Sequence, residues 1–461
     1  MSDRPDERLE DEQALAAEAP EAQGAGAGLK RDVRLLDLVM LGAGTAIGAV
    51  IFSVLGPAAQ VGGAGILISV AIAALPMVLF GIVYSYLASA VPRTAASYEW
   101  QRAFSHPLLA FAIVWLRVLS NAVVMIVLGQ VLVSYLSMAF PLPLKPSMMV
   151  FFLVVFALNY FGVAIAARAQ TVMMLALLAV FAVFVASGAP QLKPQLFAQA
   201  FAGGWLPIVA SLPVMIQLFL GIETATEVGG EVRNAKTAVP LGVALGLALT
   251  VVVYLSIAFT ALSLVGPQGL AASKAPLLTA AQASLGRWAT PLIVTAAALA
   301  LTKSMNAVFL VFARFLYAMG RSGVLPEALG RVHPRFGTPH VATTVALVCT
   351  LAGLFLPSQL LFLLLAVNVP TMMKYFGSCL AAYNVARSHP EVHAQARIKL
   401  SRPTVKVLSA LGMLAALIIA TLGVGTDWRP YVLLAVWLAI GLVYYALKAR
   451  VRAPAAAVSE P

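Results

Sequence analysis

The chain has 461 residues, 61% hydrophobic and 10% charged, with a formal net charge of +12. Ordinary soluble domains carry about 25% charged residues, so this composition excludes a soluble enzyme and indicates a polytopic helical membrane protein. The positive balance does not mark a nucleic-acid binder, because the basic residues are scattered over short connections and not gathered on one module.

Residues 1–29 are rich in Ala, Glu and Gly. They bury too little apolar surface to fold and are expected to form a disordered tail. The apolar run that begins near Leu35 is too long for the core of a cleavable signal peptide. From there, runs near twenty apolar residues recur along the chain, as membrane-crossing helices require. Twelve spans are expected, near residues 35–58, 66–90, 107–139, 148–166, 169–187, 206–231, 238–265, 289–319, 341–356, 359–386, 404–423 and 430–449. Two linkers, Pro92–His106 and Gly320–His340, read as amphipathic and not spanning. A third, Gly266–Trp288, is polar enough to hold a short helix over one face. A second short tail follows at 450–461.

Lys and Arg set the expected orientation. With the N-terminus inside, the inner loops and tails hold roughly 22 of them and the outer loops roughly 5. Arg93, Arg168, Arg233, Lys236, Arg321, Arg331, Arg387 and Arg397 belong to the inner set; Lys145, Lys193, Lys274, Arg287 and Arg429 form the outer one. Both termini are therefore expected in the cytoplasm.

Two of the apolar segments are interrupted. Span 1 contains Leu41-Gly-Ala-Gly-Thr-Ala-Ile-Gly48, and span 6 contains Phe219-Leu-Gly-Ile-Glu-Thr-Ala-Thr-Glu227. Each glycine costs a helix interior about 1 kcal/mol relative to alanine. Backbone freed at membrane depth is tolerated only where it is buried in protein or lines a cavity. Five spans separate the start of one unit from the next, and an odd number inverts the second. Residues 30–187 and 206–386 would then form a five-plus-five inverted repeat, with 404–449 added as spans 11 and 12. Breaks in corresponding positions of two halves point to the substrate site of a secondary transporter. Unwinding in span 1 would expose the N–H groups of Gly44, Thr45, Ala46 and Ile47 to a carboxylate. Carbonyls near Gln217, Phe219, Leu220 and Gly221 would suit an ammonium group. The plainer alternative is a pair of glycine-kinked helices in close packing.

Few ionisable residues lie deep in the spans: Arg117, Glu223, Lys303 and Lys374. Each costs at least about 2.5–3.5 kcal/mol on insertion scales and so needs a reason. Glu223 would order the broken backbone or take part in proton movement. Arg117 would pair with Glu223 or a substrate carboxyl, and Lys374 would line a vestibule. Asn121, Ser120 and Asn306 read as packing groups. Cys349 and Cys379 offer no disulfide framework or metal-ligand spacing. No Walker-type nucleotide motif occurs, and the five histidines fall in loops. Neither an enzymatic site, nor a metal, nor a cofactor is expected.

Three stretches resemble the amino acid–polyamine–organocation transporters. Gly42 to Phe52 is similar to the family's glycine-rich span-1 motif. Phe219 to Pro240, with Gly221, Glu223, Glu231, Asn234 and Lys236, is similar to span 6 and its exit loop. Arg314-Phe-Leu-Tyr-Ala-Met-Gly-Arg-Ser-Gly-Val-Leu-Pro326, followed by Val332-His-Pro, resembles the loop after span 8. The likeness covers roughly residues 33–450 in hydropathy. It implies alternating access, in which spans 1, 2, 6 and 7 rock against 3, 4, 8 and 9. The sequence departs from the pattern at Val50, where the family has a third glycine, and at Ala95-Ala96, where it has Gly-Gly. Leu177 stands where some members carry a lysine in place of a sodium ion, and Gln217 near a gating aromatic, with Phe219 close by. The resemblance also places span 8 against span 1, so Lys303 would fill the sodium position and serve as a proton-coupling group. A lysine that snorkels to water or pairs with Glu223 is the alternative. The expected activity is proton-coupled symport of an amino acid, with sodium less favoured as the coupling ion. An amino acid, polyamine or organic-cation exchanger and a non-transporting sensor are the competing readings.

Overall fold

The computed structural model describes residues 29, 31–48, 50–137, 140–273, 275–356, 360–421 and 428–456. Most of the two expected tails, and Lys274, lie outside them. Among the described residues the regular structure is helical throughout. Seven stretches are long and apolar enough to cross a bilayer: 54–90, 107–136, 163–191, 235–272, 276–321, 402–421 and 429–448. The pair Trp205–Leu212 and Gln217–Glu227, bent by 44°, makes an eighth if counted as one span.

Expected span 1 is two short helices, α1 (Leu35–Ala46) and α2 (Ile51–Gly62). Span 2 follows as α3 (Ile66–Ala73) and α4 (Leu75–Ala90). The linker after it folds as α5 (Ala96–Phe104), entered through Ala95 at φ 52°. Then come α6 (Pro107–Leu136), α7 (Leu144–Tyr160), α8 (Val163–Gly188), the short α9 (Gln195–Gln199) and α10 (Trp205–Ile216). A run of 3-10 turns leads from α10 to α11 (Ala235–Ala272), which is interrupted by Gly266 at φ 68°. The expected short helix over one face is α12 (Pro276–Leu285). The remaining helices are α13 (Ala289–Arg321), α14 (His340–Ala352), α15 (Leu360–Ser388), α16 (Pro390–Gln395), α17 (Arg402–Thr421) and α18 (Arg429–Ala456).

The core gathers around the broken segments. α1 packs on α11 and on the turns 222–227, while α13 packs on α6 and α8. The outermost helices show the reverse of a soluble pattern. Val436, Ile440, Val443 and Leu447 of α18 are all exposed, and only 17% of that helix's apolar window is buried. Such a helix can satisfy its surface only in hydrocarbon, where its own ladder pairs every backbone group. A clasp helps to hold it: the indoles of Trp115 and Trp437 stack at 4.7 Å. Each donates its N–H to the other's carbonyl oxygen at 2.8 Å.

One end of the bundle, rich in Lys and Arg, is tightly joined. Arg314 of α13 meets Glu231 through two hydrogen bonds, at 3.0 and 2.9 Å, with both side chains fully buried. The Val33 N–H donates to the Glu231 carbonyl at 3.1 Å, and the Ala95 N–H to the Glu227 carbonyl at 2.8 Å. Isolated β-bridges link Val33 to Val232 and Thr94 to Val228. Gly229 and Gly230 allow this approach. A Cβ on either would come within 2.9 Å of the Arg93 carbonyl oxygen or 2.5 Å of Thr94 Oγ1.

Removing one member of a buried ion pair leaves an uncompensated charge and costs about 3–5 kcal/mol. Glu231→Gln should therefore lower the thermal midpoint of the detergent-purified protein markedly. Asp32→Asn, at the exposed 3.3 Å contact with Arg233, should leave it almost unchanged.

Candidate functional site

The glycines of span 1 weaken the helix, and it gives way one turn later than expected. Gly44, Thr45 and Ala46 form the last turn of α1. The chain leaves the helix at Ile47, ψ 71°, whose N–H still donates to the Ala43 carbonyl at 2.8 Å. The expected cradle of N–H groups at Gly44–Ile47 is thus corrected. What α1 presents there is its carbonyl end, and the N–H groups ahead of a helical ladder begin with α2 at Ile51.

The carbonyl end of a helix carries about half a negative charge and favours a cation. Lys303 of α13 supplies it. Its fully buried ammonium group donates to the carbonyls of Gly44 and Ile47. Tyr254 of α11 donates its hydroxyl to the Ala46 carbonyl at 2.7 Å. Lys303 does not pair with Glu223. Beside it, the Asn306 amide donates to the Ala166 carbonyl at 3.0 Å and to Gln170 Oε1 at 3.3 Å. The Asn159 amide in turn donates to Asn306 Oδ1 at 2.9 Å. These amides tie α7, α8 and α13 together behind the break.

In span 6, helix α10 ends at Ile216, and Gln217–Phe219 tightens to a 3-10 turn. Leu220 is extended and Gly221 turns at φ 105°, a conformation that L side chains rarely adopt. The two breaks touch: a Cβ on Gly221 would lie 2.5 Å from Thr45 Cγ2, and one on Gly42 2.9 Å from the Ile222 carbonyl oxygen. Thr45, Gln217, Leu220 and Gly221 keep partial access to solvent, whereas Ile47 and Phe219 are buried. Phe219 packs edge-on against Tyr254 at 5.6 Å.

Glu223 lies just beyond Gly221, accepting from Lys374 Nζ at 2.6 Å and from the Tyr375 hydroxyl at 2.5 Å. Tyr375 stacks on Phe80 at 4.5 Å. Lys374 also stands 3.8 Å from Glu227, whose carboxylate accepts from the Ser97 hydroxyl at 2.6 Å and the Ser97 N–H at 3.1 Å. Lys374 is thus a buried partner of two carboxylates and not a vestibule residue. Arg117 does not bond Glu223. It donates to Thr371 Oγ1 and Asn121 Oδ1, each at 2.7 Å. The Ser120 hydroxyl caps the Arg117 carbonyl at 3.4 Å.

Glu227, Ser97, Tyr375 and Gln170 were not singled out from the sequence. Glu227 left a signal, since it stands four residues after Glu223; the others are ordinary residues on apolar helices. Among the described residues no group of three His, Cys, Asp or Glu side chains could hold a metal ion, and Cys349 and Cys379 are free thiols.

A family model described as amino acid permease matches residues 33–443. The branched-chain amino acid permease of Bacillus subtilis (strain 168) is 27% identical over 445 residues, covering 92% of this chain and 94% of that protein. The methylthioribose transporter of the same organism is 26% identical, with 93% and 95% covered. The cystine/glutamate transporter of Homo sapiens is 28% identical, with 84% and 80% covered.

Lys374→Met should strand Glu223 and destabilise the protein by about 3–5 kcal/mol. Adding Glu223→Gln should recover much of that loss, because neighbours in one network are not additive. Unfolding midpoints of the two single variants and the double variant measure the coupling; simple additivity would contradict the pairing. Gly221→Ala should cut transport at least about tenfold, since both the positive φ and the contact with Thr45 oppose a methyl group.

Proposed function

The chain belongs to the amino acid permease family, and from that premise we propose that it moves an amino acid across the cell membrane by alternating access. Twelve spans, arranged as a five-plus-five inverted repeat, would place both termini in the cytoplasm and the tightly joined basic end on the cytoplasmic side. The observation that carries this reading is the contact between the two broken segments. Thr45 meets Gly221 there, and Thr45, Gln217, Leu220 and Gly221 are partly accessible among buried neighbours. Irregular backbone at membrane depth has a use where it faces a cavity.

In this reading the substrate is a zwitterion. Carbonyls at Gln217–Gly221 take its ammonium group, and the N-terminal turn of α2 takes its carboxylate. Gly44, Thr45, Ala46 and Ile47 shape the wall between them. The buried carboxylates Glu223 and Glu227 are committed to Lys374, Tyr375 and Ser97. That leaves little free negative charge for a polyamine and favours a neutral amino acid, as the name of the branched-chain relative suggests.

Lys303 is the coupling group we favour. No carboxylate lies within ion-pair distance of it among the described residues, and carbonyls alone hold its charge. An ammonium in that position makes a bound sodium ion unnecessary, and loss and gain of its proton would loosen and remake the grip on α1. Glu223 is the second candidate, since Lys374 and Tyr375 give it ready routes for a proton. Amino acid exchange is the second reading. It treats Lys303 as a permanent cation that only stabilises the break.

Proteoliposome uptake of labelled leucine, glutamate and putrescine separates these readings. Leucine uptake driven by an inward proton gradient without sodium is the expected result. Lys303→Met should lower it at least about tenfold and flatten its pH dependence, because two buried carbonyls lose their donor at about 1–3 kcal/mol each. Uptake that requires unlabelled amino acid inside would establish exchange. Uptake of putrescine but not leucine would overturn the zwitterion reading.

A further inference from the structure

A second site lies away from the broken segments. A cavity of about 780 Å³ opens at the basic end, lined by Arg31, Lys236 and Arg397 and also by Gly230, Leu35 and Leu241. We propose that it binds the phosphate of an anionic phospholipid, whose acyl chains lie along the exposed face of α11.

Three independent features converge on this ligand. The first is charge. Arg31 comes from the segment before α1, Lys236 from the first turn of α11, and Arg397 from the connection between α16 and α17. Among the described residues no carboxylate lies within ion-pair distance of any of the three. Cations drawn from three separate parts of the chain into one hollow raise its positive potential and favour an anion there.

The second feature is backbone. Asn234 enters α11 in the left-handed region, and its carbonyl accepts the first helical bonds, from Thr237 and Ala238. The N–H groups of Ala235 and Lys236 precede that ladder at the cavity wall, where a helix N-terminus adds about half a positive charge.

The third feature is apolar and decides between a lipid and a free phosphate. Leu36, Leu241 and Leu245 are 53%, 42% and 44% exposed. Leu241 lines the cavity and Leu245 lies one helical turn further on, so an exposed apolar face runs from the cavity along α11. A headgroup with two acyl chains satisfies both surfaces, whereas inorganic phosphate satisfies only the first. Pockets of basic residues between spans at the cytoplasmic face bind acidic headgroups by this chemistry.

The position gives the ligand a consequence. Gly229 and Gly230 belong to the loop that pairs with Arg93 and Thr94, and the segment carrying Arg31 leads into the Val33–Val232 bridge. An anion held by all three cations ties these parts together while this end is closed. It therefore stabilises that state over any state in which they separate.

The test uses the full-length protein in non-ionic detergent, with dioleoylphosphatidylglycerol, dioleoylphosphatidylcholine and inorganic phosphate as probes. Native mass spectrometry counts bound lipid, and thermal unfolding reads all three probes. Phosphatidylglycerol should bind and stabilise where phosphatidylcholine and phosphate do not. Lys236→Gln combined with Arg397→Gln should weaken it about 30-fold, which at 1.4 kcal/mol per decade is about 2 kcal/mol. Lys145→Gln, an exposed cation at the start of α7, should change nothing. If the double variant does not fold, Arg397→Gln alone, at an exposed connection, should still cost about fivefold. Equal binding of phosphatidylcholine, undiminished binding to the variants, or equal protection by inorganic phosphate would each overturn the proposal. Binding is read without transport, so its failure is distinct from a failure of the transport reading.

Discussion

A helix that breaks inside a bilayer frees peptide groups that hydrocarbon cannot solvate, and each left unpaired costs several kcal/mol. Much of the centre of this molecule answers that cost at Gly44–Ile47. Lys303 reaches across from α13 to the freed carbonyls, and Tyr254 reaches from α11 to Ala46. Because the donors come from different helices, satisfying the break also draws α11 and α13 onto α1. Gln170 and Asn306 extend the same logic outward to α7 and α8. The packing around the site therefore follows from the break, and a helix continuous through residue 50 would need none of these partners.

The buried carboxylates follow a second rule: each is met by a cation or by nearby hydroxyl and amide donors. Glu231 and Arg314 compensate each other with two aligned hydrogen bonds, the geometry that best offsets desolvation. Lys374 serves Glu223 directly and Glu227 at longer range, and Ser97 supplies the hydrogen bonds that Lys374 does not. These contacts join the segment after Gly221 to α5, α13 and α15. Any movement that separated these elements would have to exchange these contacts for water or for other polar partners.

The class of molecule was legible in composition, and both broken segments were legible in their glycines, because hydropathy and helix propensity act locally. The resemblance of three stretches to a transporter family is matched by the family comparison. The exact point of breakage was not legible. Glycine lowers the cost of unwinding at several neighbouring residues, and tertiary partners choose among them; here Lys303 and Tyr254 hold the break at Ile47. The depth and rarity of Lys303 drew attention to it, yet its acceptors are backbone atoms that carry no sequence signal. The pairing of Glu223 with Lys374 and not Arg117 depended on which face of α15 turns inward, and a separation of 151 residues along the chain hides that from local pattern. The helices α5 and α12 were anticipated from polarity, since short amphipathic segments between apolar runs have few other ways to satisfy their backbone.

The Trp115–Trp437 clasp gives the protein an optical property. Two indoles held 4.7 Å apart with their planes only 6° from parallel have transition dipoles close enough to couple as an exciton pair. Where the two dipoles are also twisted about the line that joins them, such coupling gives a paired circular dichroism band that isolated tryptophans lack. Most of the apolar surface of α18 is exposed, so such coupling would report whether this helix is seated on α6. The docking of the last helix is thus tied to a pair of chromophores the chain already carries.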